Sequence, residues 1–289
     1  MLGSLDRGRA YISFVRSYGF LFTGLYGGLV GGLFVVYICG VKLGYMGMDV
    51  VIPLGGQGLW GEEEELKYAL RSFCDNLLGL RDVYIVGELL PSWSCGLKLL
   101  YFKEHEKSQE LKEFRIFSKT LFACQHEEIS DDFLFANDDH FILQPVKIED
   151  FPFHYREEDM IDTINNSVKN VAWKTTLRNT REYLINKGFD AKMFDTHCPI
   201  IYNRFQFSLL DRVDWSKPHG YGIKSLYANT AQISGSLYPD GKLFSSEQNE
   251  ARIEAKLANR MYFSTSPIVP PIQQEIIKKL FPNKSRFEK

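Results

Sequence analysis

Phe133-Leu134-Phe135-Ala136-Asn137-Asp138-Asp139-His140-Phe141-Ile142-Leu143 is the stretch whose reading decides the fold. An apolar, aromatic run stops, polar and acidic residues follow, and an apolar run resumes. The first run is short and aromatic, as in a buried strand. Two adjacent carboxylates at the end of such a strand are costly to bury unless positive charge meets them. A divalent metal carrying a phosphorylated substrate supplies that charge. A loop with two solvated aspartates is the plainer reading of the pair alone, so its surroundings have to decide.

Upstream, Asp49-Val50-Val51-Ile52-Pro53-Leu54 has the composition of a strand, and Gly55-Gly56-Gln57-Gly58 ends it in a flexible turn. A strand, a glycine turn and then a helix form the entry to a nucleotide-binding α/β domain, although this turn is neither a Walker loop nor GxGxxG. Pro53, Leu54 and Gly55 are therefore candidate nucleotide contacts. Glu62 to Leu78 follows as a helix, with Leu66, Ala69, Leu70, Phe73 and Leu77 recurring at three- and four-residue steps. Glu65, Tyr68 and Ser72 share another face with Arg71 beside them, and spacing alone makes that a solvated charged face. Asp82 to Gly87 is the next strand, leading to a loop with Pro91-Ser92-Trp93. Strand, helix, strand implies parallel pairing through a right-handed crossover.

Residues 98–113 read as an exposed loop and helix, and Phe114 to Cys124 as a helix. Met160 to Asn186 reads as one or two helices, Ile200 to Leu210 as a helix, and Lys224 to Thr230 as a helix or turn. Glu247 to Asn259 is helical by composition, and Met261 to Thr265 is a late strand. The expected fold class is α/β, with a mostly parallel sheet flanked by helices and a helical C-terminal part. The main domain is placed at 48–281, with a charged, frayed tail at 282–289.

The chain has 289 residues, 45% hydrophobic and 24% charged, enough to bury a large core. A formal net charge of -2 gives no basic field, so no nucleic-acid partner is expected. Five cysteines without CxxC spacing argue against a zinc site and a disulfide framework, and for a reducing compartment. Residues 1–47 form a separate N-terminal segment. No charge appears from Ser17 to Val41, a length that spans a bilayer as a helix, and Gly24, Gly28 and Gly32 lie at GxxxG spacing. Two alternatives stand beside that anchor: a soluble apolar hairpin, or a start at Met46 or Met48. The localisation expected is membrane-associated or cytoplasmic.

Several pieces in this order resemble the Stealth family of capsular-polysaccharide sugar-phosphotransferases. The first is Glu65-Leu66-Lys67-Tyr68-Ala69-Leu70-Arg71-Ser72, followed by Val83-Tyr84-Ile85-Val86 and Pro91-Ser92-Trp93. Next comes a block from Phe117-Ser118 through Ile129-Ser130-Asp131-Asp132-Phe133 into Asn137-Asp138-Asp139-His140-Phe141, and then His197-Cys198-Pro199 with Arg204 downstream. The likeness runs over residues 48–230. It implies a glycosyltransferase-like (GT-A) core, a nucleotide-sugar donor, a glycan or polysaccharide acceptor, and Mg²⁺ or Mn²⁺. It further implies metal and diphosphate handling by Asp138 and Asp139, with Asn137 orienting them and His140 a possible further ligand. Arg71 would pair with a phosphate, His197 would be a base or phosphate contact, and Arg204 would clamp the same anion. Glu65 would act as a base or fix Arg71, and Trp93 would stack on a sugar or base. The chain departs from the family at Ile52-Pro53-Leu54-Gly55-Gly56, where no acid ends the first strand. Transfer of hexose-1-phosphate and transfer of the sugar alone both stay open, as does a non-catalytic glycan-binding role.

Overall fold

The computed structural model describes residues 47–55, 64–103, 112–166 and 171–289, together with the backbone of two short strands near the N-terminus. Those strands, Gly27–Val30 (β1) and Leu33–Val36 (β2), pair antiparallel, with Gly27 opposite Val36 and Val30 opposite Leu33. Within the charge-free stretch 17–41 they are extended, so Gly28 lies on a hairpin strand and not on a helix. Gly24 and Gly32 lie outside the described residues, as do the two ends of that stretch. Among the described residues no helix is long and apolar enough to cross a membrane. Residues 1–44 are a unit distinct from residues 45–289.

The larger unit begins with Met48–Pro53 (β3), Glu64–Asn76 (α1), the two-residue Leu77–Leu78 (β4) and Leu80–Gly87 (β5). Lys98–Tyr101 (β6), Lys112–Cys124 (α2), Asp132–Phe135 (β7), His140–Ile142 (β8), Val146–Lys147 (β9) and His154–Tyr155 (β10) follow. Next come Met160–Asn166 (α3), Val171–Asn186 (α4), Ile200–Asn203 (β11), Arg204–Ser208 (α5) and Ile223–Thr230 (α6). The chain closes with Ser236–Leu237 (β12), Lys242–Leu243 (β13), Glu250–Leu257 (α7), Tyr262–Thr265 (β14) and Pro271–Leu280 (α8).

The main sheet of the described residues has the order β11-β7-β3-β5-β6. β7, β3, β5 and β6 run parallel, and β11 is antiparallel at one edge. Val50, Val51 and Ile52 are fully buried, as a central strand covered on both faces requires. Alternate residues serve two cores. Val50, Ile52, Val83, Ile85 and Leu134 pack with α1, α7, α8, β8 and β14. Val51, Tyr84, Val86, Phe133 and Phe135 pack with α2 to α6. A second sheet, β13-β14-β8, takes over the chain directly after Asn137-Asp138-Asp139.

Four expectations are corrected. The face of α1 carrying Glu65, Tyr68 and Ser72 is buried, because Ser72 Oγ accepts the Ile142 N–H of β8 at 3.0 Å. Lys98–Tyr101 is a sheet edge. Ile200-Ile201-Tyr202-Asn203 is a strand, Ile200 opposite Phe135 and Asn203 opposite Asp132. The helix starts only at Arg204, where the Asn203 side chain caps it by accepting the Gln206 N–H. The C-terminal tail is docked: Phe287 is buried, Cys95 N–H donates to its carbonyl at 2.8 Å, and Ser94 bridges Glu288.

Candidate functional site

The parallel strands β7, β3 and β5 end side by side. Ala136 N–H donates to Val51 O at 3.1 Å, and Leu54 N–H to Val86 O at 3.0 Å. Pro53, Leu54, Gly55 and Asn137 therefore lie together at the carboxyl ends of the strands, where open α/β sheets take their ligands. The approach is close: a Cβ on Gly87 would meet Leu54 O at 3.2 Å. The buried Lys119 ammonium donates to that same Leu54 carbonyl at 2.5 Å.

The acidic loop folds on itself. Asn137 N–H donates to His140 Nδ1 at 3.1 Å, and His140 N–H returns a bond to Asn137 O at 3.3 Å. An accepting Nδ1 puts the proton of the neutral ring on Nε2. Burial holds the His140 pKa well below the ordinary histidine value, helped by Lys224, His197 and Lys242, so the ring stays neutral. His140 is the first residue of β8. Among the described residues its Nε2 has no hydrogen-bond partner, and it lies 3.9 Å from Asp139 Oδ1, which has none either. Burial raises the Asp139 pKa, and Lys242, His197 and Lys224 oppose it.

Glu65 reaches the same place from the first turn of α1. Its carboxyl accepts a hydrogen bond from Thr265 Oγ1 of β14. Burial, with Asp139 and Asp138 adding to it, pushes its pKa up to about 8 against the Thr265 bond and Lys242. Glu65 thus carries a proton at neutral pH. It belongs with the two aspartates and does not touch Arg71.

His197, which acts on Asp139, sits on a loop clamped to α6. Asp195 accepts the N–H groups of Lys224 and Ser225 at the start of that helix. A Cβ on Gly222 would fall 2.2 Å from Asp195 Oδ2, so any other residue would push that carboxylate from its place at the helix start. The Lys224 ammonium donates to Thr196 O and Cys198 O, bracing His197 from both neighbours. His197 Nδ1 lies 2.7 Å from Asp240 Oδ2, and its backbone N–H donates to Asp240 Oδ1 at 3.2 Å. Burial works against the Asp240 charge, but these bonds and Arg156 bring its pKa down to about 2. Lys242 Nζ lies 3.2 Å from His197 Nε2. Between Asp240 and Lys242, a Cβ on Gly241 would strike Tyr262 O at 2.9 Å, so β13 needs glycine to approach β14.

Glu65, Asn137, Asp138, Asp139 and His197 are thus gathered, with Pro53 to Gly55 at the neighbouring strand end. Arg71 and Arg204 are not. Arg71 is held by Glu288 and by the Phe281 carbonyl, and the charges that act on it most are those of Glu288, Tyr68 and Glu64. Arg204 donates to His126 O and Asp131 Oδ1 at the start of β7, the far end of the sheet from Asn137. β11 runs between His197 and Arg204, and at about 3.3 Å per residue it separates them too far to grip one anion. Trp93 packs partly buried against the core with Lys67 over its ring. Asp240, Lys242, Lys224 and Thr265 were not anticipated. Pro239-Asp240-Gly241 is a turn signal, but nothing in it foretells a partner 43 residues earlier.

Among the described residues no group of three or more His, Cys, Asp or Glu side chains is placed to hold a metal by itself. Asp138 and Asp139 nonetheless fit a hard divalent cation that takes its other ligands from phosphate and water, and Asp139 Oδ1 is a buried oxygen with no hydrogen-bond partner.

No protein-family model matches the sequence, and no curated protein matches it. Among solved structures the chain is similar to mouse xyloside xylosyltransferase 1 in its apo form, with a TM-score of 0.41 and 9% identity, covering 75% of this chain and 96% of that one. It is also similar to the apo form of the glycosyltransferase GlyE of Streptococcus pneumoniae TIGR4, with a TM-score of 0.38 and 10% identity, covering 83% of this chain and 66% of that one. These likenesses are too loose to carry function, which rests on the residues of the site.

Proposed function

We propose that this chain is a transferase that uses a nucleotide-activated sugar to modify a glycan or polysaccharide. One observation carries the reading. An acidic loop at the carboxyl end of β7 and a histidine backed by a carboxylate lie within electrostatic reach of one another, and the loop adjoins the glycine-lined end of β3. Breaking a bond in a nucleotide-sugar diphosphate builds negative charge on the leaving group, and cations must meet it. Lys242 supplies one such charge. Asp138 and Asp139, oriented by Asn137, are the residues that would hold Mg²⁺ or Mn²⁺, and the ion would neutralise the diphosphate. The nucleotide lies along Pro53, Leu54 and Gly55. Protonated Glu65 keeps a third carboxylate from adding charge. His197 takes the proton of the attacking hydroxyl at Nε2 while Asp240 holds its Nδ1–H.

The Stealth-like order of motifs favours transfer of hexose-1-phosphate. The acceptor oxygen then bonds to the sugar-bearing phosphorus, the bond from that phosphorus to the bridging oxygen breaks, and a nucleoside monophosphate leaves. The first strand's lack of a terminal acid favours a second reading, transfer of the sugar alone. There the acceptor oxygen bonds to the anomeric carbon and a nucleoside diphosphate leaves. The test is a product assay over a panel of nucleotide sugars with Mn²⁺. Monophosphate release fits the first reading and diphosphate release the second. Release of neither from any donor, with the glycan acceptors supplied, would leave only a non-catalytic glycan-binding role.

A further inference from the structure

His197 Nδ1 is committed to Asp240, so Nε2 is the nitrogen free to accept a proton. That nitrogen is covered by the Lys242 ammonium at 3.2 Å. The same ammonium leads the positive charges acting on Asp139 and also acts on Glu65 and His140. Lys242 therefore stands between the base and the acidic loop. Its main chain is pinned, opposite Ser264 of β14 and with its carbonyl accepting from Lys256 Nζ at 2.7 Å. Only its side chain has room to change partners. Asp240 pairs with His197 at Nδ1, with Arg156 3.9 Å beyond that carboxylate, and Asp139 lies within electrostatic reach of the ring.

A neutral imidazole nitrogen and a phosphate oxygen compete unequally for an ammonium: both bonds have an ionised donor, but only the phosphate adds the attraction of two full opposite charges. We infer that Lys242 couples donor binding to activation of the base: the donor's diphosphate draws the ammonium off His197 Nε2, and only then can Nε2 accept the acceptor's proton. The inference rests on the nucleotide-sugar reading of the site. It makes the order of events a property of one side chain, because an acceptor hydroxyl arriving without the donor meets a blocked base.

The experiment follows the ¹⁵N resonance of His197 Nε2 and the affinity for UDP and other nucleoside diphosphates, with Mg²⁺, in the full-length protein. UDP, or whichever nucleoside diphosphate binds, should move the Nε2 resonance of the natural protein towards the position it already holds in Lys242→Met. In Lys242→Met the nucleotide should leave that resonance in place and bind about tenfold to a hundredfold more weakly, the loss expected for one charge-assisted contact. Lys242→Arg, which keeps the charge, should recover most of the affinity. An Nε2 resonance that ignores the nucleotide in the natural protein, or moves equally in Lys242→Met, would overturn the coupling while leaving the donor reading intact. Failure of every nucleoside diphosphate to bind would sink the donor reading and the coupling with it.

Discussion

Arg71 and Glu288, 217 residues apart, meet fork to fork: Nε lies 2.9 Å from Oε1 and Nη2 lies 2.7 Å from Oε2. Their side chains are only 11% and 5% exposed, so little water competes for either charge. Glu288 also caps the tail by accepting from Ser285 N and Oγ. The pair fastens the last residues to α1, and Tyr68 stacks on the guanidinium from the same helix.

Arg71→Met should therefore act on stability. It leaves a buried carboxylate unpaired, which costs about 2–4 kcal/mol. Thermal unfolding should show the loss, and removal of residues 282–289 should reproduce much of it. Donor turnover at a permissive temperature should change by less than about twofold, as for a residue outside the site. A large fall in kcat with no fall in melting temperature would return Arg71 to the chemistry.

Asp240→Asn tests the histidine. The amide keeps the shape of the carboxylate but can present its NH₂ to Nδ1 and so favour the wrong tautomer. Turnover should fall about a hundredfold or more, the usual contribution of an oriented general base. Nucleotide affinity should change far less, because Asp240 faces His197 and Arg156. A variant that loses affinity and keeps kcat would show that His197 binds phosphate and moves no proton.

Glu65 gives the protein a pH signature. Its pKa is near 8 in the folded protein and at the ordinary 4.5 when exposed. The folded state thus holds a proton that the unfolded state gives up between those values. By linkage, the stabilisation is complete below pH 4.5, is lost as pH rises towards 8, and changes no further above it. The span amounts to several kcal/mol at about 1.4 kcal/mol per pH unit. Glu65→Gln keeps an acceptor for Thr265 Oγ1 and has no proton to lose. In EDTA the melting temperature of the natural protein should fall between pH 5 and pH 8 (roughly the Glu65 window) relative to that of Glu65→Gln, since Glu113, raised by burial to about 7, titrates in both. Parallel curves would mean that Glu65 is ionised at neutrality.

Much of this architecture is legible in residues whose pattern is local. Val50-Val51-Ile52 has the β-branched composition of a strand, α1 declares its core face at three- and four-residue steps, and Phe133 to Ala136 ends visibly in acid. What stayed hidden depends on distant partners. Ile200-Ile201-Tyr202 fits a helix or a strand equally, and its pairing with Phe133 to Phe135 decides. The tail reads as solvated charge until Phe287 is seen buried and Glu288 bound to Arg71. Asp240 and Lys242 flank a glycine in an ordinary turn, and only the approach of β13 to β14 brings them to His197.

The acidic loop makes the last prediction. Asp138 and Asp139 offer too few protein ligands to hold a cation tightly alone. Mn²⁺ should therefore bind weakly to the protein and much more firmly once a nucleoside diphosphate adds phosphate oxygens. Melting temperature should show this by mass action: Mn²⁺ and UDP together should raise it by more than the sum of their separate effects. Asp139→Asn keeps the shape of the loop, removes one hard anionic ligand, and relieves Glu65 of one of the two charges that raise its pKa. The cooperative rise should disappear in this variant, and turnover should fall more than about a hundredfold. The electron paramagnetic resonance signal of free Mn²⁺ reports the binding directly, independent of activity. Equal Mn²⁺ uptake by Asp139→Asn would remove the carboxylate from the metal, and unchanged turnover would remove it from the chemistry.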